Sequence, residues 1–126
     1  MPAIVAADLR GLTILVVEDT ALVADLVAEV LQEAGCRVVG PAARLDQGLA
    51  LAATAGLAGA LLDVNLAGER CFPIAEALAA RGVPFAFLTG YGEQMLPPAY
   101  RDVPRLTKPF DIGQMLGLVE RCFRPG

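Results

Sequence analysis

Apolar runs of strand length recur along the chain and alternate with stretches of helical periodicity, and this alternation limits the available folds more than any single residue does. LTILVVE at 12–18, CRVVG at 36–40, GALL at 59–62, PFAFL at 84–88 and RLT at 105–107 read as five strands. The longer runs are apolar at successive positions instead of every second one, so both faces of those strands need cover. After the first strand, Leu22, Val23, Leu26, Val27, Val30 and Leu31 fall on one helical face with Asp25, Glu29 and Glu33 opposite. Thr20 suits an N-cap there and Gly35 a stop. An alanine-rich helix is expected over 44–55 and another from about Cys71 to Ala80. The last has an apolar stripe of Ile112, Met115, Leu116, Val119, Cys122 and Phe123. Strands buried on both faces and separated by helices make a parallel sheet covered on each side. In such open α/β sheets a ligand binds at the carboxyl ends of the strands, where the strand order reverses.

The chain's 126 residues suffice for one domain with a core of its own, burying roughly two-thirds of the unfolded surface. No linker, repeat or low-complexity tract interrupts the pattern, so residues 1–126 are expected to be a single domain, with its core over about 11–124 and no output domain. A composition 56% apolar and 19% charged is that of a globular protein. A net charge of −4, with ten scattered basic residues, argues against direct nucleic-acid binding. The uncharged stretch Ala50 to Leu62 is too short to span a bilayer, and MPAIVAADLRG carries no basic region ahead of its apolar residues. No membrane insertion and a cytoplasmic location are therefore expected. Cys36, Cys71 and Cys122 are odd in number and widely spaced, which reads as reduced structural thiols. The chain has no histidine, which removes most zinc sites and every Ser/His or Cys/His nucleophile pair.

What remains for chemistry collects at the strand ends. The first strand ends on Glu18 and Asp19, the third on Asp63, the fourth on Thr89, and Lys108 follows the fifth. Singly, each suits a helix start, a turn or a solvated surface; together the pattern puts all five on one edge of the sheet. Three neighbouring carboxylates repel one another and call for a cation, and an all-oxygen site with few protein ligands suits Mg²⁺, its octahedron completed by waters and a phosphoryl oxygen. The Asn65 backbone carbonyl, in the loop that turns back two residues after Asp63, adds a further oxygen. A carboxylate left free to attack is a nucleophile that forms an aspartyl phosphate. Lys108 and Thr89 are suited to neutralising and positioning the phosphoryl oxygens.

The pieces VVEDT, LLDVNLAGE, FLTGYG and LTKPF, in this order and spacing, resemble the receiver domain of two-component response regulators, and the likeness runs from Leu12 to about Phe123. DVNLAGE with PFAFLTGYG looks most like the alphaproteobacterial single-domain subgroup often called FATGUY. The resemblance implies a flavodoxin-like (βα)5 doubly wound fold with strand order 2-1-3-4-5. It implies that Asp63 accepts a phosphoryl group, that Glu18, Asp19 and Asp63 hold Mg²⁺ or Mn²⁺ with the Asn65 carbonyl, and that Lys108 and Thr89 contact phosphoryl oxygens. Lys108-Pro109 would be a cis peptide. Gly90, Tyr91, Arg105 and Pro109 are implied as modulating positions, Tyr91 and Asn65 through the lifetime of the phosphorylated state. The partners implied are a sensor histidine kinase, HWE in type, or a histidine phosphotransferase. The protein would be a signalling switch and not an enzyme, catalysing only its own phosphoryl transfer and dephosphorylation.

Two departures from the family pattern stand out. Most receivers place an aromatic residue three positions before the lysine, where this chain has Arg105. Pro97 and Pro98 sit where the middle of the fourth helix belongs, so that helix is expected to be short or irregular, with Gly90 and Gly92 permitting unusual backbone angles and 89–100 carrying the switch. Two other functions remain open. A small phosphatase with an aspartyl-phosphate intermediate usually carries its nucleophile in a D-x-D pair on the first strand, unlike Asp63. A receiver-like docking module that is never phosphorylated normally lacks one of the acids or the lysine.

Overall fold

The computed structural model describes residues 9–90 and 96–124. In chain order these form β1 (Thr13–Val17), α1 (Ala21–Glu33), β2 (Arg37–Ala42), α2 (Leu45–Leu51), β3 (Gly59–Asp63), β4 (Asn65–Leu66), β5 (Glu69–Arg70), α3 (Phe72–Ala80), β6 (Phe85–Thr89), a 3-10 turn (Pro98–Tyr100), β7 (Arg105–Thr107) and α4 (Ile112–Phe123). Five strands make one parallel sheet in the order β2-β1-β3-β6-β7. This is the expected 2-1-3-4-5 order of a flavodoxin-like fold once the two-residue strands β4 and β5, which pair with each other as a separate hairpin, are passed over.

Side-chain alternation divides the core in two. Ile14 and Val16 of β1, Leu61 of β3 and Ala86 and Leu88 of β6 face Val27 and Leu31 of α1 and Met115, Leu118 and Val119 of α4. Leu15, Val17, Ala60, Leu62 and Phe87 point the other way, onto Ile74, Ala75 and Leu78 of α3 and Ala52 at the end of α2. The unbroken apolar runs of β1, β3 and β6 thus follow from burial on both faces.

Several boundaries differ from the sequence reading. α1 does not bury Leu22 and Leu26, which are 81% and 49% exposed; it buries Ala24, Val27, Ala28, Val30 and Leu31. The stripe 24/27/28/31 meets the sheet because its two alanines let the helix axis lie close, and the larger leucines fall on the flank. α2 stops at Leu51, short of the expected 55, as the N–H groups of Ala53 and Thr54 turn to the carbonyls three residues back and the Arg81 guanidinium takes the carbonyl of Ala52. β2 starts one residue late and runs through a cis Gly40-Pro41 peptide to Ala42. A bulge between the Leu15–Val39 and Val17–Ala42 pairs accommodates it, at an edge strand where a missing N–H is tolerated. Only glycine fits at 40, with φ +96° and a Cβ that would stand 2.8 Å from both Ala42 N and Val16 O. The irregular fourth connection contains, among its described residues, the single 3-10 turn at 98–100, and Tyr100 there stacks on Phe72 at 5.4 Å and packs edge-on to Phe87. Tyr91, Gly92 and the rest of 91–95 lie outside the described residues.

Gly59 lets β3 pass under α4: a Cβ built on it would lie 2.4–2.6 Å from the Phe123 ring. Gly59→Ala is therefore expected to lower stability by about 1–3 kcal/mol in urea unfolding, and adding Phe123→Leu should recover part of that loss. An unchanged midpoint for Gly59→Ala would show that Phe123 moves aside freely.

Candidate functional site

Among the described residues the buried polar or charged side chains are Glu18, Asp63 and Thr89, at 1%, 4% and 2% exposure. All three stand at carboxyl ends of central strands. The register aligns them: Val17 pairs with Leu62, so Glu18 follows beside Asp63, and Asp63 pairs with Leu88, one residue before Thr89. Thr89 pairs with Thr107, which delivers Lys108 to the same edge. The parallel sheet itself therefore assembles the cluster.

Lys108 Nζ lies 2.8 Å from Glu18 Oε1 and 3.1 Å from Asp63 Oδ2. The contact to Asp63 is an aligned hydrogen bond, whereas Glu18 Oε1, fully enclosed, is close to the ammonium without one. Glu18 Oε2 accepts the N–H of Thr20 at 3.0 Å. Thr20 is the N-cap of α1, as expected, but its side chain makes no capping bond; its own N–H is the one held by Glu18. Asp63 Oδ1 accepts the N–H of Asn65 at 3.3 Å, and Asp19 Oδ2 accepts the N–H of Ala67 at 2.9 Å. Ligand oxygens of Glu18, Asp19 and Asp63 all fall within 4.8 Å of one another. An enclosed glutamate oxygen without a hydrogen bond, inside an all-carboxylate donor set, fits a small hard cation.

The electrostatics follow from this crowding. Burial pushes the Asp63 carboxyl up, the neighbouring Glu18 and Asp19 add to it, and Lys108 only partly offsets them, so Asp63 rises to about 8. Asp19, the most accessible of the three, is held below its ordinary range: some burial opposes this, but hydrogen bonds to Asp63, the Ala67 N–H and Glu18 outweigh it. Burial disfavours the Lys108 ammonium, yet the adjacent Glu18 and Asp63 carboxylates outweigh it and raise it above the ordinary value.

The other positions singled out in the sequence are placed as follows. The Thr89 hydroxyl donates to the Leu106 carbonyl at 3.4 Å, a long bond. Lys108-Pro109 is cis. Gly90 has no left-handed φ, and a Cβ there would meet no atom of the described residues within 4 Å. Arg105 points outward, its Nη2 bonded to the Arg101 carbonyl at 2.6 Å. Tyr91 lies outside the described residues.

The sequence reading took the segment after Asp63 as a loop and missed its construction. Asn65–Leu66 and Glu69–Arg70 form an antiparallel hairpin, with Ala67 at φ +53° and Gly68 at φ +95° between them. Two left-handed residues make the kind of turn that suits a two-residue hairpin. The signal present was Gly68; the alanine before it, a residue with a Cβ in a left-handed position, concealed the turn.

The arrangement defines a class: a doubly wound parallel sheet with an acidic, cation-ready cluster beside one lysine at its carboxyl edge. The chain is similar to SdrG from Sphingomonas melonis Fr1, whose solution structure is 39% identical over 86% of this chain and 93% of that one, with a TM-score of 0.75. The BeF3-activated conformation of SdrG, from Pseudomonas melonis Fr1, is 38% identical over 85% of this chain and 92% of that one, with a TM-score of 0.70. The REC domain of the response regulator PhyR from Erythrobacter litoralis shares the fold at 23% identity, 90% coverage of each chain and a TM-score of 0.78. No family model and no curated protein matches the sequence. The chain belongs to the response regulator receiver family.

Because Asp63 binds its proton more tightly in the folded state than in the unfolded chain, stability is fully present below the unfolded value of 3.8 and is lost as pH rises toward about 8. Without divalent metal, Asp63→Asn should therefore melt higher than the parent at the upper end of that window, by about 4 °C for each kcal/mol of strain relieved, and the gain should shrink toward the lower end. Differential scanning calorimetry across the window checks this. A gain independent of pH would assign the effect to something other than the Asp63 charge.

Proposed function

We propose that the protein is a phosphoacceptor switch of a two-component system, taking a phosphoryl group on Asp63 from a histidine of a sensor kinase, HWE in type, or of a histidine phosphotransferase. The observation that carries this reading is a buried carboxylate, unfavourably ionised among acids, with one lysine already on its outer oxygen. Lys108, together with a bound cation, would offset the negative charge of the acyl phosphate formed on Asp63. Glu18, Asp19 and Asp63, with the Asn65 carbonyl, would hold Mg²⁺, or Mn²⁺ in its place, which when bound supplies positive charge to the acids and to a phosphoryl oxygen.

In the transfer, an Asp63 oxygen bonds to phosphorus as the P–N bond to the donor histidine breaks, and the imidazole leaves with the electron pair. Lys108 passes from Asp63 Oδ2 to a phosphoryl oxygen, a short movement that keeps its ammonium paired. The Thr89 hydroxyl exchanges its long bond to Leu106 for one to phosphoryl oxygen, so little is given up when it turns. Switching then passes through the connection from Thr89 to Tyr100, and not through Arg105, whose charged guanidinium is already held outside by the Arg101 carbonyl. Tyr91 would screen the acyl phosphate from water. The cytoplasm is the compartment that fits such a partner; among the described residues no helix is long and apolar enough to cross a membrane.

Incubation with acetyl phosphate and Mg²⁺, followed by intact mass, is expected to show one added phosphoryl group in the parent and none in Asp63→Asn. Lys108→Ala should label slowly, by about tenfold or more, if its ammonium neutralises the entering group. Labelling of Asp63→Asn equal to the parent would remove Asp63 from the acceptor role, and a parent that never labels would favour a docking module.

A further inference from the structure

The β4–β5 hairpin bears on the acid cluster in a way the strand ends alone do not require. It has only two cross-strand pairs, Asn65 with Arg70 and Leu66 with Glu69, yet it is firmly seated. Leu66 is 1% exposed in the α3-side core, and the Cys71 N–H bonds the Val64 carbonyl at 3.0 Å to close the hairpin's base. Its tip presents one free backbone donor, the Ala67 N–H, and that donor is spent on Asp19 Oδ2 at 2.9 Å, across 48 residues of sequence. The same Asp19 carboxylate belongs to the cluster whose oxygens lie within 4.8 Å of one another.

Holding the donor there requires Ala67 at φ +53°, a conformation disfavoured for any residue with a Cβ. The structure shows what stabilises it. Asn65 Oδ1 accepts the Gly68 N–H at 2.9 Å, bridging the turn from its first residue to its last central one. Asn65 therefore has two uses: its N–H bonds Asp63 Oδ1 at 3.3 Å while its side chain turns away to lock the hairpin tip.

We propose that the hairpin is a positioning device for the metal site, in which Asn65 locks the left-handed turn and Ala67 thereby holds Asp19 in its ligating orientation. The proposal rests on Glu18, Asp19 and Asp63 being the Mg²⁺ site. Asn65 acts here through turn geometry; its side chain is not needed to cover the acyl phosphate. A hydrogen bond that orients a ligating carboxylate is typically worth 10–100-fold in metal affinity. Asn65 works one step further back, so the lower end of that range is expected.

The test is a Mg²⁺ titration followed by amide chemical shifts of Asp19 and Val64 in the parent, Asn65→Ala and the double variant Asn65→Ala/Ala67→Gly, with urea unfolding of each in parallel. Asn65→Ala should bind Mg²⁺ about tenfold more weakly than the parent. Glycine at 67 adopts positive φ without a lock, so the double variant should regain most of that affinity. Recovery by glycine is the result a side chain acting directly on the metal or phosphoryl group would not give, and weak binding that merely tracks loss of folding would appear in the urea data. Parental affinity in Asn65→Ala, or no recovery in the double variant while the parent binds normally, overturns the proposal. A parent whose Asp19 and Val64 amides do not respond to Mg²⁺ overturns the site reading itself and the proposal with it.

Discussion

Three carboxylates share one small volume at the carboxyl edge of the sheet, against a single ammonium, and the rest of the structure is arranged around that imbalance. Both faces of the central strands are dry, so Glu18, Asp63 and Thr89 are buried only because they end those strands. Burial removes the water that would otherwise screen acid from acid, and Lys108 cannot satisfy two carboxylates and balance a third. Asp63, in the middle, takes the strain as a carboxyl that resists ionisation. A divalent cation held among these oxygens would relieve that strain by supplying the missing positive charge.

Much of this was legible in the sequence, for a physical reason. Parallel strands buried on both faces read as unbroken apolar runs, so β1, β3 and β6 were found nearly to the residue, and their ends named Glu18, Asp63 and Thr89. The capping box of α4, in which Asp111 and Gln114 bond each other's backbone N–H, marks a start the apolar stripe had already located. Legibility failed where packing or backbone conformation, and not periodicity, decides. Ala24 and Ala28 won the sheet-facing stripe of α1 over Leu22 and Leu26 because small residues allow closer approach. The bulge and cis proline of β2 have no period to reveal them. The hairpin was hidden by Ala67, a residue type that left-handed turns seldom use.

The hairpin also alters how the site's residues divide their work. Asp19 appears in sequence only as a second acid after Glu18, yet its geometry depends on an amide 48 positions away. The connection after Asp63 thus reaches back to the end of β1 and joins the first and third strand ends by a route other than the sheet. At the opposite side, Tyr100 packs among Phe72, Phe85 and Phe87, fixing the far end of the connection that follows Thr89. One neighbour of the acid cluster is therefore held by hydrogen bonds and the other by aromatic packing, and only the second leaves its polar group, the Thr89 hydroxyl, on a bond weak enough to exchange.

The central claim is that Asp63 is destabilised as an anion by its neighbours and that a divalent cation reverses this. Carbon-detected NMR of the Asp63 side-chain carboxyl through a pH titration, with and without Mg²⁺, measures it directly. Without metal the carboxyl should titrate far above the ordinary carboxylate value of 3.8, toward about 8, and with saturating Mg²⁺ it should stay ionised to well below neutral pH. An Asp63 carboxyl that titrates near 3.8 in both conditions would contradict the account.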